Sequence, residues 1–175
     1  MLEKYKKVII IKNIVYHTFD AYYNEDSEIL ILGSMPSVKS REANFYYMHP
    51  QNRFWMVLEK VFNENIGKDI ELKKEFLKKH KIALWDVIYS CEINGSSDAS
   101  IKNIVVNDIK TLLSKTKIVK IYAAGKKAYE LYNKYCLKDT GIEAECLYSS
   151  SPANCAISIE KLVENYKVIN KEYNK

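Results

Sequence analysis

The segment Glu28-Ile-Leu-Ile-Leu-Gly33 decides the fold. It is a short, continuous apolar run that ends in glycine, which is typical of a strand buried on both faces of a parallel sheet. Residues 82–88, 117–125 and 145–148 have a similar strand composition, and segments with helical apolar spacing lie between them. The alternation predicts an α/β fold, a three-layer sandwich around a central, mostly parallel four-stranded sheet.

The spacing of apolar residues also predicts the helices. They cover residues 52–62, 69–79, 107–114, 126–137 and 159–173. Phe54 and Trp55 fall on the apolar stripe of the first helix, so we expect both rings in the core. Asn52 stands where that helix begins, and as a plain structural residue it would be the N-cap.

Length and composition limit the class of protein. The chain has 175 residues, of which 47% are hydrophobic and 28% charged; this predicts a single packed domain over residues 1–175. No uninterrupted apolar run approaches the roughly 20 residues that cross a bilayer, and the basic N-terminus lacks a signal-peptide cleavage pattern. We therefore expect a monomeric protein of the cytoplasm with no membrane partner.

Charge and cysteine content exclude some chemistry. The net charge of +5 would suit a polyanion, but it is also common in proteins that bind none. The four cysteines, at positions 91, 136, 146 and 155, form no Cys-x-x-Cys pair and have no nearby histidine. Such spacing is not that of a zinc or iron-sulfur site, so we expect reduced thiols, no metal and no cofactor.

Three polar loops follow the predicted strands, over residues 33–37, 90–100 and 149–154. Ligands of open parallel sheets bind outside the carboxyl ends of the strands, so these loops are expected to converge on one cleft. The first loop contains neither Gly-x-Gly-x-x-Gly nor Gly-x-x-x-x-Gly-Lys, which removes support for a nucleotide cradle. A Gly-x-Ser-x-Gly elbow is missing too, and none of the three histidines has the context of a catalytic triad.

Four motifs occur in order over roughly residues 29–160. They are Gly33-Ser-Met-Pro36, Tyr46-Tyr-Met-His-Pro-Gln-Asn-Arg-Phe-Trp55, Leu84-Trp-Asp-Val-Ile88 and Ser151-Pro-Ala-Asn154. Together they resemble the uracil-DNA glycosylase superfamily, above all its hypoxanthine-DNA (deoxyinosine) glycosylase branch, which is related to the mismatch-specific uracil/thymine-DNA glycosylases. The resemblance implies a monofunctional enzyme that hydrolyses the N-glycosidic bond of a deaminated base, hypoxanthine or alternatively uracil, and so initiates base excision repair. Its partner would be DNA that contains such a base.

The resemblance also implies roles for particular residues. Asn52 is the expected catalytic residue, because its amide can accept a hydrogen bond from water and donate one to a base carbonyl. Tyr47 falls at the aromatic position that stacks on the extruded base. The remaining residues implied in binding DNA or base are Gly33, Ser34, Met35, Pro36, His49, Ser149, Ser151, Pro152, Ala153 and Asn154.

Two departures from the family pattern leave an alternative open. Met35 replaces the Asn that positions water in the mismatch-specific branch, and Ala124 stands where the deoxyinosine branch tends to carry Asn. A noncatalytic DNA- or nucleotide-binding module with the same fold is therefore the rival hypothesis. Asp86, flanked by apolar residues, is interpreted as a buried structural acid.

Overall fold

Seven strands form two sheets in the computed structural model, which describes residues 13–93 and 100–170. The strands are β1 (Ile14–Tyr16), β2 (Ile29–Gly33), β3 (Ile82–Asp86), β4 (Ile88–Glu92), β5 (Lys102–Val106), β6 (Lys120–Ala124) and β7 (Ala144–Leu147). The larger sheet has the order β3-β2-β6-β7, and all its neighbours are parallel. This confirms the predicted four-stranded parallel sheet.

The central position of β2 explains its uniformly apolar sequence. Ile29 pairs with Ile82 on one side and with Lys120 on the other. Ile31 belongs to the hydrophobic core on one face of the sheet, and Leu30 and Leu32 belong to the core on the other face. A strand that is buried on both faces needs an apolar side chain at every position.

Helices cover both faces and complete the three layers. They are α1 (Val38–Ala43), α2 (Phe54–Phe62), α3 (Ile70–Lys79), α4 (Ile109–Ser114), α5 (Lys126–Tyr135), α6 (Leu137–Thr140) and α7 (Ile159–Tyr166). Helices α2, α3 and α7 pack on one face, and α4, α5 and α6 pack on the other. Phe54 and Trp55 are buried as expected.

The smaller sheet was not predicted, and it corrects the single strand expected over residues 82–88. The chain pairs with β2 as far as Asp86, and Val87 and Ile88 then donate backbone hydrogen bonds to the carbonyls of Gly33 and Ser34. From Ile88 it continues as β4, between the antiparallel strands β1 and β5. Strands β1 and β5 expose most of their side chains, and their apolar runs, at residues 14–16 and 104–106, are only three residues long, which is too short to mark a buried strand.

Other boundaries also differ from the sequence predictions. Helix α1 was not predicted, because six residues are too few to show a clear apolar stripe. The last helix ends at Tyr166 and continues as a 3-10 turn over Lys167–Ile169, while the remainder of the predicted 159–173 segment after residue 170 lies outside the described part. Of the predicted 90–100 loop, residues 90–92 belong to β4 and residues 94–99 are not described.

None of the helices in the described residues is long and apolar enough to cross a membrane.

Candidate active site

A cleft of about 940 Å³ opens beyond the carboxyl ends of the parallel strands. The loops over residues 33–37 and 149–154 line it, as the sequence predicted. From the third predicted loop, Ile93 reaches the cleft, while residues 94–99 are not described. The topology of the sheet therefore places two of the three polar loops against one cavity.

Most of the predicted site residues share this cleft. The lining includes Gly33, Ser34, Met35, Pro36, Tyr47, Asn52, Ser149, Ser151, Ala153 and Asn154. His49 and Pro152 do not line it. The Nδ1 atom of His49 accepts a hydrogen bond of 3.1 Å from the backbone of Gln51, and Pro152 opens a short 3-10 turn. Asp86, Ser150, Arg41 and Lys126 are additional lining residues that the sequence analysis did not select.

Gly33 forms the floor of the cleft at the end of β2. A Cβ atom at this position would lie 2.3 Å from Oδ1 of Asp86 and 3.5 Å from the hydroxyl oxygen of Tyr47. The first distance is shorter than any real contact of a side-chain carbon, so only glycine lets the Asp86 carboxyl approach the strand so closely.

Asp86 is buried at the end of β3, as expected, and it also lines the cleft. Its Oδ2 lies 2.9 Å from Nε2 of His17, and the two side chains are only 7% and 1% exposed. Burial raises the pKa of Asp86, and the hydrogen bond and charge of His17 oppose that rise. Since Asp86 also lines the cleft, it joins the cavity to a buried histidine.

Tyr47 is held by Phe54. The two rings stack with centroids 3.7 Å apart and planes 14° from parallel, so one face of Tyr47 is covered and a base could stack only on the other. Its hydroxyl is buried and has no hydrogen-bond partner among the described residues. Burial, followed by the nearby charge of Asp86, raises the pKa of Tyr47 well above that of an ordinary tyrosine.

Asn52 uses its side-chain oxygen for structure. Oδ1 accepts hydrogen bonds from the backbone N–H of Phe54 and from the hydroxyl of Ser150, both at 2.9 Å. The N-cap position itself is Arg53, which makes no side-chain cap. Asn52, predicted as the N-cap, therefore caps α2 from the residue before that position, and the helix begins one residue later than predicted. Because a backbone N–H can only donate, it fixes the amide with its oxygen toward α2.

The orientation of Asn52 decides what it can do chemically. Both lone pairs of its oxygen are used, whereas its NH₂ group has no hydrogen bond to another described residue. Since Asn52 lines the cleft, it offers N–H donors there. This corrects the expectation that its amide would also accept a hydrogen bond from water.

Arg53 holds the loop that carries the last motif, a role that the sequence analysis missed. Its Nη2 donates 2.8 Å to the carbonyl of Asn154, its Nη1 donates to the carbonyl of Ile157, and its backbone N–H donates to Ser150. Asn154 in turn donates from Nδ2 to the carbonyl of Ser149 at 2.9 Å. Asn154 thus anchors its own loop, and the loop is fastened to the start of α2.

Cationic side chains stand at the rim of the cleft. Arg41 donates from Nη1 to the carbonyl of Pro36 at 2.8 Å, which ties α1 to the first loop. Lys126 and Lys127 follow Gly125 at the start of α5 and line the opposite side. Gly125 adopts φ 108°, and a Cβ there would lie 3.1 Å from Cβ of Ser149, so glycine permits the close approach of these two strand ends.

No cluster of three or more His, Cys, Asp or Glu side chains that could hold a metal ion occurs within residues 13–93 and 100–170. The four cysteines form no disulfide; Cys91 and Cys136 are buried, and Cys146 and Cys155 are exposed. Burial raises the pKa of Cys136 to about 11, which keeps that thiol protonated and unreactive near neutral pH.

Comparison with known proteins identifies the family of this chain. Residues 21–171 match the model of the Uracil DNA glycosylase superfamily. Two proteins named hypoxanthine DNA glycosylase are similar: one from Methanosarcina barkeri is 36% identical over 138 residues, and one from Methanosarcina acetivorans is 37% identical over 140 residues. Each alignment covers 78% of this chain and 86% of the relative.

A comparison with solved structures points to the same family. The solution NMR structure of a candidate uracil DNA glycosylase from Methanosarcina acetivorans superposes with a TM-score of 0.75 and is 34% identical in sequence. The superposition covers 90% of this chain and 99% of that structure. The family match, the curated relatives and the structural neighbour agree, and this chain belongs to the uracil DNA glycosylase superfamily.

Proposed function

We propose that this chain, a DNA glycosylase by its family, excises hypoxanthine from DNA and leaves an abasic site. The observation that carries the proposal is the placement of Asn52, whose unpaired NH₂ group lies in the same cleft as Tyr47 and the loop at residues 33–37. The two relatives named hypoxanthine DNA glycosylase support the choice of base. Uracil is the alternative base.

The proposed reaction needs little covalent help from the protein. As the N-glycosidic bond stretches, positive charge develops on the sugar and negative charge on the departing base. The oxygen of water then bonds to C1′ of the sugar, and the proton that water loses ends on the released base. Asn52 contributes by donating hydrogen bonds, either to the base as it becomes negative or to the oxygen of the attacking water.

The base has to leave the DNA stack before it can enter the cleft, at a cost of a few kcal/mol. Tyr47 lines the cleft, and the extruded base would stack on the ring face that Phe54 does not cover. Ser151 and Ala153 lie on the loop that Arg53 and Asn154 hold in place, so this loop is ordered in advance to meet the DNA backbone and fill the gap left by the base. Arg41 and Lys126, at the rim, are positioned for phosphates.

Two further statements belong to this proposal. Damaged DNA is the partner that the cleft and its cationic rim suit, and a single copy of the chain supplies every residue to which we give a role, so we propose a monomer. The cytoplasm is the compartment that we propose for this enzyme.

A panel of duplexes tests the function. Each duplex carries one deoxyinosine, one deoxyuridine or only undamaged bases, and strand scission is scored with and without alkali. We expect scission of the inosine strand only after alkali, because a monofunctional glycosylase leaves the backbone intact. Failure to release hypoxanthine at enzyme excess would reject the proposal, and preferred release of uracil would replace the base that we assign. DNA binding without any excision would instead support the noncatalytic module.

A further inference from the structure

The pair formed by His17 and Asp86 has no role in the mechanism derived above. Asp86 lines the cleft, whereas His17 lies behind it and is almost fully buried. Buried polar pairs at the floor of a binding cleft are costly unless they serve binding or folding. Asp86 therefore connects the cleft to a second, inaccessible titratable group.

The two carboxylate oxygens of Asp86 have different surroundings. Oδ2 is 2.9 Å from Nε2 of His17, which is the one side chain bonded to this carboxyl among the described residues. Oδ1 lies over Gly33, near the buried and unpartnered hydroxyl of Tyr47. Oδ1 thus has no hydrogen-bond partner among the described residues, and it belongs to a residue that lines the cleft.

The histidine determines which oxygen can carry a proton. If the pair holds one proton, that proton lies between Oδ2 and Nε2, whether histidine or acid formally owns it. Oδ1 then has only lone pairs to offer and is a hydrogen-bond acceptor in both cases. Only a further proton on the carboxyl itself would be placed on Oδ1 and turn it into a donor.

We propose that Oδ1 of Asp86 accepts a hydrogen bond from the lactam N–H of the extruded base, and that His17 is the positioning residue that keeps this oxygen an acceptor. The inference rests on the proposed function and adds the group that recognises the base. Deamination converts adenine N1 from an acceptor into the N1–H donor of hypoxanthine, and it converts N3 of cytosine into the N3–H of uracil in the same way. An obligatory acceptor therefore fits the deaminated base and opposes its parent.

The neighbours of Asp86 leave His17 as its controlling group. Tyr46 and Tyr47 face it from the loop after α1, and burial keeps the pKa of each well above that of an ordinary tyrosine, so both stay neutral. The hydroxyl of Tyr46 donates a hydrogen bond to the backbone carbonyl of Asp20. Besides Asp86, the carboxylate of Asp20 is the other acidic group whose charge acts on Tyr46. Asn107 donates to the backbone carbonyls of Asp86, at 2.8 Å, and Ile88, at 3.3 Å, and not to the Asp86 carboxyl; Gly33 brings no charge.

This arrangement predicts the effect of pH. Burial raises the pKa of Asp86 and His17 opposes the rise, so without His17 the carboxyl takes up its first proton at a higher pH. That proton is then free to reside on Oδ1. Excision should therefore be lost at a higher pH in His17→Phe than in the natural protein, and alkaline pH should restore it. Phenylalanine suits the site, because the His17 ring already packs on Phe19 with centroids 4.6 Å apart.

The experiment measures single-turnover excision of hypoxanthine across a pH series for the natural protein, His17→Phe and Asp86→Asn. We expect His17→Phe to be about 10- to 100-fold slower near neutral pH, the effect of one hydrogen bond to a charged group, and to recover at alkaline pH. Asp86→Asn, which is isosteric, should lose the acid limb, since its amide does not titrate. The asparagine amide can also turn an N–H toward adenine. We therefore expect the Asp86→Asn variant to lose, by a similar factor, the preference for binding an inosine–cytosine duplex over an adenine–cytosine duplex.

The outcomes separate this inference from the proposed function. If the natural protein releases no hypoxanthine at any pH, the proposed function fails. If the natural protein is active, two results would show that the proposed role of the pair is wrong. One is a pH profile of His17→Phe that superimposes on that of the natural protein, and the other is an Asp86→Asn variant that keeps both the acid limb and the base preference. Thermal unfolding of the two variants checks that each is folded under the assay conditions.

Discussion

The hydroxyl of Ser150 donates a 2.9 Å hydrogen bond to Oδ1 of Asn52, across 98 positions of the chain. It joins the loop after β7 to the start of α2 at the residue that the account makes catalytic. Together with the backbone N–H of Phe54, it occupies the oxygen of the amide and leaves the NH₂ group for the cleft. The chemistry assigned to Asn52 follows from this bond.

Asn52→Asp tests whether the amide acts as a donor. Aspartate also caps helices well, so it can keep the bonds from Phe54 and Ser150 while it removes both N–H donors. We expect stability within about 1 kcal/mol of the natural protein and excision slower by roughly 10²-fold or more, the scale for one positioned donor. Asn52→Ala, which loses cap and donor together, is the matched control. Faster excision by the aspartate variant would show that this position works as an acceptor for water.

Tyr47→Phe should raise stability. It removes a hydroxyl that is buried without a partner, and relief of such a group is worth about 1 kcal/mol or more. Denaturant unfolding gives the stability, and a single-turnover assay should show nearly unchanged excision, because the ring and its stacking on Phe54 remain. Tyr47→Ala should weaken binding of lesion DNA by about 1 to 3 kcal/mol, the range for stacking on an aromatic ring. Equal damage in both variants would assign the function to the hydroxyl instead of the ring.

Arg53→Lys should loosen the loop that follows β7. Lysine cannot reproduce the planar fork that reaches the carbonyls of Asn154 and Ile157. We expect a loss of about 2 kcal/mol in unfolding free energy, the scale of hydrogen bonds to a charged donor, and weaker binding of lesion DNA. Arg41→Lys is the control, because it also replaces a guanidinium group at the cleft by an ammonium group but leaves the hydrogen bonds from Arg53 to the loop in place. If Arg53→Lys binds and unfolds like the natural protein, the loop does not depend on this clamp.

Gly33→Ala should disturb the cleft floor. The new Cβ would lie 2.3 Å from Oδ1 of Asp86, so the carboxyl must move, and forced repacking of this kind costs about 1 to 3 kcal/mol. Excision should fall with it. Gly141→Ala is a suitable control, because its Cβ meets nothing within 4 Å and its strain, at φ 69°, is remote from the cleft. The comparison of excision rates at equal folded fraction checks the claim, and an unimpaired Gly33→Ala would contradict it.

The main sheet could be predicted because β2, β3 and β6 are buried along most of their length. Residues 29–33 are apolar without interruption, and they lie between two neighbours in the sheet. Strands β1 and β5 could not be found in this way, since most of their residues face solvent, and β1 in addition pairs with a strand that is distant in sequence. The break at Val87 is equally invisible, because the apolar run continues while the chain changes sheets.

The convergence of the predicted loops on one candidate cleft could be expected from the sequence as far as the motifs extend. The first and last motifs converge because both follow parallel strands, and the placement of Asn52, Ser34 and Ser151 in one cleft agrees with that argument. Asp86 was interpreted as structural, because the sequence around an acidic residue with apolar neighbours looks the same whether the residue lies in a core or at the floor of a cleft. Its partner His17 lies 69 positions away, outside every motif, so only the folded chain brings the pair together.

The most direct test of the account is single-turnover excision from a duplex with one deoxyinosine, measured side by side for the natural protein and Asn52→Asp. The account predicts an alkali-labile site and free hypoxanthine from the natural protein, and excision at least about 10²-fold slower from the folded aspartate variant. No release of hypoxanthine by the natural protein at enzyme excess, or equal rates for the two proteins, would contradict it.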